Sequence, residues 1–191
     1  MPTTNDQPKM RIGYGFDSHE FFSGVPLKIG GVMLPHDKGL GGHSDGDVLL
    51  HAITDALLGA IAGPDIGALF PPSDPNWKGA DSVIFLGEAL KRVRSAGYRV
   101  ANMDASLILA APRIGPHAEA IRGRVADLLQ VDADCIGVKA KTPEGLGTSN
   151  TAIAHAVVLL ESEPAQAKPL KKNLSNAKAA GRRTTRSKRG R

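Results

Sequence analysis

The chain contains little cysteine, few aromatic residues and no long apolar stretch. Its single cysteine, Cys135, excludes a disulfide within the chain and fits a reducing compartment. Only 4% of its 191 residues are aromatic although 41% are hydrophobic, so we expect a core of Ala, Val, Leu and Ile. No apolar run of about 18 residues is present, which excludes a membrane-spanning helix. Residues 1–9 lack the apolar segment of a secretory signal. We therefore expect a cytoplasmic protein with no membrane partner.

Acidic residues are scarce near the end of the chain. Residues 162–191 hold ten basic residues against Glu163 alone, a net charge of +9, which leaves −4 for residues 1–161. We expect a disordered N-terminus over residues 1–9, one folded domain over residues 10–161 and a disordered basic tail over residues 162–191. One hypothesis is that the tail binds a nucleic acid or another acidic partner. No aromatic residue is interleaved to stack on bases, so we expect any nucleic-acid binding to be nonspecific.

The remaining pattern predicts helices mixed with a small sheet. Short apolar segments with glycines predict strands or a hairpin at residues 10–16 and 27–34. Later segments predict a helix over 82–96, a strand over 100–111, a helix over 116–129 and strands over 136–140 and 152–160. The expected fold class is α/β (α+β), a two-layer sandwich of a small mixed sheet packed on helices.

A further helix is predicted between these segments. Ser44 is a good N-cap with Asp47 as a weak capping-box partner. An apolar stripe then follows at helical spacing, formed by Leu50, Ile53, Leu57 and Ile61. Gly63-Pro64 ends the helix. Residues 64–79 contain four prolines, and we expect a long loop without regular structure.

Two segments bring histidines and carboxylates into regular spacing. Asp17 and His19 lie two apart and would share one face of a strand. Helical spacing would place a second set in one row, namely Ser44, Asp47, His51 and Asp55. Asp17, His19 and His51 match the three protein ligands of a catalytic Zn²⁺ site. The alternative is a turn at residues 17–19 and a surface histidine at residue 51.

Two later segments each allow a functional interpretation and a purely structural one. The loop around Asp65 is either an acidic connector or a rim whose Asp65 accepts hydrogen bonds from substrate hydroxyls. In residues 139–148, Lys141 and Thr142 offer donors to phosphate and Glu144 a ligand for a hard cation such as Mg²⁺. The order of these residues differs from a P-loop. Their alternative interpretation is an ordinary turn between strands.

The motifs together resemble a known enzyme family. Their order is Gly-Tyr-Gly-Phe-Asp-Ser-His at 13–19, His-Ser-Asp-Gly-Asp-Val-Leu-Leu-His at 43–51, Asp-Ile-Gly at 65–67 and Lys-Gly-Ala-Asp-Ser at 78–82. The segments Ala-Ala-Pro-Arg-Ile-Gly-Pro-His at 110–117 and Thr-Pro-Glu at 142–144 follow. The chain resembles the 2-C-methyl-D-erythritol 2,4-cyclodiphosphate synthases of the non-mevalonate isoprenoid pathway. The resemblance covers about residues 11–160.

The resemblance implies a homotrimeric lyase with active sites at the subunit interfaces. The implied reaction closes 4-CDP-2-C-methyl-D-erythritol 2-phosphate into the cyclodiphosphate and releases CMP. It implies that Asp17, His19 and His51 bind Zn²⁺ or a similar ion, and that Glu144 binds Mg²⁺ or Mn²⁺ with the substrate diphosphate. The implied catalytic residues are His43 and Thr142.

The resemblance also implies a set of substrate-binding residues. Besides Asp17, His19, His43 and Ser44, the methylerythritol part would be held by Asp65, Ile66, Gly67, Phe70, Pro71, Pro72, Ser73 and Asp74. The cytidine pocket would comprise Leu109, Ala110, Ala111, Pro112, Arg113, Ile114 and Gly115. The diphosphate side would comprise Lys141, Thr142, Pro143 and Glu144.

One segment departs from the family pattern. The family follows its Thr-Thr-Glu segment with Phe-Thr-Gly-Arg, whereas residues 145–152 read Gly-Leu-Gly-Thr-Ser-Asn-Thr-Ala and contain no arginine. Lys141 or Arg113 is the candidate replacement for the missing charge. The changed loop motivates an alternative function, a metal-dependent phosphohydrolase that directs water at the phosphorus.

Overall fold

The computed structural model describes residues 8–163. The expectations for residues 1–7 and 164–191 lie outside these described residues. The strands are β1 Met10–Ser23, β2 Leu27–Ile29, β3 Val32–Leu34, β4 Lys38–Leu40, β5 Tyr98–Ile108, β6 Ile136–Lys141 and β7 Thr151–Ser162. The helices are α1 Val48–Ala60, α2 Ile66–Leu69, α3 Ser82–Ser95 and α4 Ala118–Leu129. Within residues 8–163, no helix is long and apolar enough to span a bilayer. The cytoplasmic location stays a prediction.

A five-stranded mixed sheet forms one layer of the fold. Its strand order is β4-β1-β7-β5-β6, in which only the β5–β6 pair is parallel. Helix α1 packs against β1 and β7, α3 against β5 and α4 against β6. The strands β2 and β3 form a separate hairpin. This arrangement confirms the predicted sandwich of a mixed sheet on helices.

Two glycines allow α1 to lie directly on the backbone of β1. A Cβ atom at Gly13 would overlap the carbonyl oxygen of Ala56, and one at Gly15 would overlap that of Ala52. Ala52 and Ala56 are four apart on α1 and fully buried, so small residues face each other across the contact. This close approach fixes the separation between the polar residues of β1 and those of α1.

Several predicted boundaries were short or wrong. Strand β1 continues to Ser23, seven residues beyond the predicted end, so Asp17 and His19 lie on a strand rather than in a turn. Strand β4 was missed because its sequence, Lys-Gly-Leu, contains only one apolar residue. The prediction that residues 64–79 lack regular structure was wrong. Asp65 caps the short helix α2, and Asp74 caps a 3₁₀ turn over Pro75–Trp77, each accepting a backbone N–H bond.

The predicted cap of α1 was also wrong. Helix α1 begins at Val48 and is capped by Asp47, whose side chain accepts from Leu50 N. Gly46 adopts φ +69°, so the chain is not helical between Ser44 and the cap. Asp47 also accepts hydrogen bonds from Gly30 N at 2.8 Å and Gly31 N at 2.6 Å. The predicted row of four polar residues therefore reduces to the two on the helix, His51 and Asp55.

Candidate metal centre and neighbouring cavities

The inner face of β1 carries two polar side chains toward α1. Asp17 and His19 follow Gly13 and Gly15 with the period of two that a strand imposes, so all four residues share this face. His51 lies in the first turn of α1, directly before Ala52, and only 8% of it is exposed. The glycine–alanine contact thus brings a helix residue and two strand residues together.

Three potential ligand atoms converge there. Asp17 Oδ2 lies 2.9 Å from His19 Nε2 and 2.9 Å from His51 Nδ1. The two histidine nitrogens lie 3.0 Å apart. Burial raises the pKa of Asp17, but hydrogen bonds and charge interactions with His19 and His51 outweigh it and hold this pKa well below its ordinary value. Asp17 is therefore a carboxylate at neutral pH.

This donor set fits a divalent transition metal. One carboxylate oxygen and two imidazole nitrogens are ligand types that Zn²⁺ uses in catalytic sites. Tetrahedral zinc with ligands at about 2.0–2.1 Å would separate them by about 3.3 Å. The observed separations are within a few tenths of an ångström of that value. The arrangement therefore supplies three ligands and leaves a fourth position for water or substrate.

The metal centre forms one wall of a cavity of about 190 Å³. The cavity is lined by His19, His43, Ser44, His51, Ile66, Gly67, Phe70, Pro72, Trp77 and Phe85. All but Trp77 and Phe85 were predicted as metal or substrate residues. Phe85 packs on Phe70, with ring centroids 4.5 Å apart. It was missed because its position in the apolar stripe of α3 indicated only a core residue.

Five of the predicted substrate residues near this cavity do not line it. They are Asp17, Asp65, Pro71, Ser73 and Asp74. The carboxylates of Asp65 and Asp74 accept backbone N–H bonds at the caps, at 2.7 and 3.0 Å. The backbone carbonyl oxygen of Asp74, rather than its carboxylate, faces the cavity residue His43, at 3.4 Å from Nε2. The predicted role of Asp65 toward substrate hydroxyls stays a prediction.

A second cavity, of about 460 Å³, lies at the ends of β5 and β6. It is lined by Leu109, Ala110, Pro112, Arg113, Ile114, Gly115, Pro116, Ala140, Lys141 and Thr142. Most of the predicted cytidine residues and two of the predicted diphosphate residues are thus brought together, while Ala111, Pro143 and Glu144 do not line the cavity. Thr142 Oγ1 donates a hydrogen bond to Glu144. No described residue lines both cavities.

Comparisons with known proteins decide the family. A sequence model of the YgbB family matches residues 10–161. The chain belongs to this family. It is 65% identical over 152 residues to a 2-C-methyl-D-erythritol 2,4-cyclodiphosphate synthase of Koribacter versatilis (strain Ellin345), covering 80% of this chain and 98% of the relative. A chloroplastic synthase of Oryza sativa subsp. japonica is 53% identical, covering 78% and 69%.

Solved structures of the same YgbB-family enzyme share the fold. A 2C-methyl-D-erythritol-2,4-cyclodiphosphate synthase described as a CDP-bound form superimposes with a TM-score of 0.75 at 44% identity. The superposition covers 79% of this chain and 100% of that chain. The resemblance identified from the motifs is confirmed, and with it the assignment of the chain to a family of lyases. The candidate site Asp17, His19 and His51 is consistent with a divalent metal.

Proposed function

We propose that this YgbB-family chain converts 4-CDP-2-C-methyl-D-erythritol 2-phosphate to 2-C-methyl-D-erythritol 2,4-cyclodiphosphate, with release of CMP. The observation that carries the proposal is the convergence of Asp17, His19 and His51 beside a cavity. His19 and His51 line this cavity together with His43 and Ser44. The family membership and the names of the relatives support it.

The reaction requires charge neutralisation more than a base. An oxygen of the 2-phosphate forms a bond to the diphosphate phosphorus that is esterified to methylerythritol, and the bond from that phosphorus to the CMP oxygen breaks. The nucleophile is already an anion, so the barrier arises from bringing two anions together in line. When the protein holds both ends of one flexible substrate, the reacting oxygen and phosphorus adopt this in-line geometry more often.

The cavity beside the metal centre would hold the nucleophilic end. His43 and Ser44 would donate hydrogen bonds to phosphate oxygens, with His43 stabilising charge in the transition state. Ile66 and Phe70 offer apolar contact for the methylerythritol carbons. Zn²⁺ or a similar ion on Asp17, His19 and His51 would supply charge neutralisation and orientation of a phosphate.

The second cavity would hold the CDP end. Leu109 to Gly115 would surround cytidine, and Thr142 would donate to the diphosphate. Glu144 would bind Mg²⁺ or Mn²⁺ together with diphosphate oxygens. Arg113 and Lys141 both line this cavity, so either cation can replace the arginine that residues 145–152 lack.

The proposal is tested with purified protein, substrate, Zn²⁺ and Mg²⁺, following the products by phosphorus NMR. We expect the cyclic diphosphate and CMP in equal amounts. His51→Ala removes one ligand, so we expect it to lose bound zinc and turnover together. Full turnover by His51→Ala with unchanged metal content would refute the metal assignment. Linear methylerythritol phosphates from the wild type would instead support the phosphohydrolase.

We further propose that the chain is active as a homotrimer. The outer face of the sheet carries an apolar patch, defined by Ile12, Tyr14, Phe16 and Val157, whose members are 43–72% exposed. Tyr14 pairs with Val157 across β1 and β7, so the patch is continuous. Contiguous apolar surface of this kind marks an interface. The separation of the two cavities on one chain supports an active site completed by a second subunit.

Light scattering during size exclusion tests the assembly. We expect a mass of three times the 20.0 kDa chain. Val157→Asp places a charge in the patch and should lower the mass, whereas Met33→Asp, at an exposed position on β3, should not. A monomeric wild type that is fully active would refute the trimer.

A further inference from the structure

His51 has a second ring nitrogen that faces two hydroxyl groups. Its Nε2 lies 2.9 Å from Ser82 Oγ and 3.0 Å from Ser44 Oγ. Ser82 is fully buried at the start of α3, whereas Ser44 is half-buried beside the cavity. A neutral imidazole carries its proton on one nitrogen only, and the partner of Nε2 therefore decides whether Nδ1 has a free lone pair.

The direction of the Ser82 hydrogen bond is set by a carboxylate. Ser82 Oγ donates a hydrogen bond to Asp45 Oδ1. An ionised carboxylate only accepts, so the single hydroxyl proton of Ser82 must point to Asp45. The Ser82 oxygen can then only accept from His51. Nε2 therefore carries a proton that faces Ser82 Oγ and Ser44 Oγ, and in the neutral ring Nδ1 keeps its lone pair for an ion held together with Asp17 and His19.

Asp45 is in turn held by a lysine. Lys28 Nζ lies 2.8 Å from Asp45 Oδ2 and 2.9 Å from Asp81 Oδ2. Burial raises the pKa of Asp45, but hydrogen bonds from Lys28 and Ser82 outweigh it and keep this pKa below its ordinary value. Lys28 comes from β2, Asp45 from the segment before α1, and Ser82 from α3. Residues from three separate elements thus form one chain of hydrogen bonds that ends at His51.

We propose that Ser82 and Asp45 are positioning residues that hold His51 with its proton on Nε2, so that Nδ1 is the ligand atom for the divalent ion. This inference rests on the proposed metal site. Removal of the hydrogen-bond partner of a metal-binding histidine typically weakens metal binding by about 10- to 100-fold.

Asp45→Asn is the decisive variant because it reverses the hydrogen bonds without changing shape. Lys28 only donates, so the oxygen of the introduced amide would stay toward Lys28 and the NH₂ group would face Ser82. A long 3.3 Å bond from Asp47 N to Oδ1 would be lost. Ser82 would then donate to His51 Nε2, which places the ring proton on Nδ1 and blocks the ligand atom. Ser82→Ala removes the same support without reversing it.

Asp81→Asn is the matched control. It removes the same charge beside the same lysine but leaves Asp45 and Ser82 in contact, and asparagine still caps α3 as Asp81 does through Val83 N. Zinc affinity is measured by competition with a chromogenic chelator, and the visible spectrum of the cobalt-substituted protein reports the ligand geometry. The thermal midpoint of each metal-free variant shows whether it folds. If Ser82→Ala does not fold, Asp45→Asn decides.

We expect zinc binding about 10- to 100-fold weaker in Asp45→Asn and Ser82→Ala, an altered cobalt spectrum in Asp45→Asn, and values within about twofold of wild type in Asp81→Asn. Wild-type affinity and spectrum in folded Asp45→Asn would overturn the inference. So would an equal loss in Asp81→Asn, because charge rather than hydrogen-bond direction would then explain it. Failure of the wild type to bind zinc would refute the metal site itself.

Discussion

The contact between β1 and α1 leads to a sharp prediction about Gly15. In Gly15→Ala the new Cβ would lie 2.6 Å from Ala56 N and closer still to the carbonyl oxygen of Ala52. Ordinary contact begins near 3.4 Å and Ala52 O lies only 1.9 Å away, so the helix backbone must retreat by about 1.5 Å. The contacting atoms belong to the helix backbone, which cannot relieve the overlap by a rotamer change as the end of a flexible side chain can. We therefore expect a cost near the upper end of the usual range for overpacking, about 3 kcal/mol.

The assay is urea unfolding at a fixed protein concentration, because oligomers gain stability with concentration. With a slope of about 1–3 kcal/mol per molar urea, a loss of about 3 kcal/mol lowers the midpoint by ~1 M or more. Retreat of α1 also separates His51 from Asp17 and His19, so zinc affinity should fall in the same variant.

Gly59→Ala is the matched control on the same helix. Its Cβ would meet only Tyr14 O, at 3.7 Å, which is ordinary contact. Alanine is the better helix former, so we expect Gly59→Ala to gain about 0.5–1 kcal/mol. A midpoint for Gly15→Ala at or above that of wild type would refute the account of how the helix and strand approach.

Three further predictions concern polar residues. Asp47→Ala leaves three backbone N–H groups without their acceptor, so unfolding should become easier by about 3 kcal/mol or more, and Asp47→Asn should lose less. The pKa of Asp45 is lowered in the folded chain, so its ionised form stabilises the fold above the ordinary value of 3.8 and this contribution disappears as the pH falls below it. Urea midpoints of the metal-free protein at about pH 6 and about pH 3.5 should therefore differ less in Asp45→Asn than in wild type. His43→Gln should lower kcat by about 10²- to 10³-fold while bound zinc stays constant; loss of the metal would contradict its assignment to the substrate.

The sequence predicted the metal centre because its signals are local. A spacing of two places Asp17 and His19 on one strand face, and the apolar stripe around Ile53 predicts a helix that carries His51. Alternation and helical periodicity follow from backbone geometry alone. The motifs around these residues also identified the family.

Other features depend on partners that are distant in the chain. Ser44 and Asp47 both satisfy the local rules for an N-cap, and Asp47 takes the role because Gly30 and Gly31 offer it two more N–H donors. Phe85 faces the cavity because it packs beside His51, and Trp77 does so because it packs on Phe85. Neither outcome has a signature within a short window of sequence.

The residues that can bind the ion were therefore determined by the sequence, but the atom that each one offers was decided by the tertiary structure. A histidine side chain is equally able to bind a metal through either ring nitrogen. Packing of Ala52 and Ala56 on two glycines brings His51 close to β1. Its contacts with Asp17 on one side and Ser82 on the other show that Nδ1 is the nitrogen that faces β1. Hydrogen bonds from three separate elements then set where its proton lies, because hydrogen-bond direction depends on partners that only folding brings together.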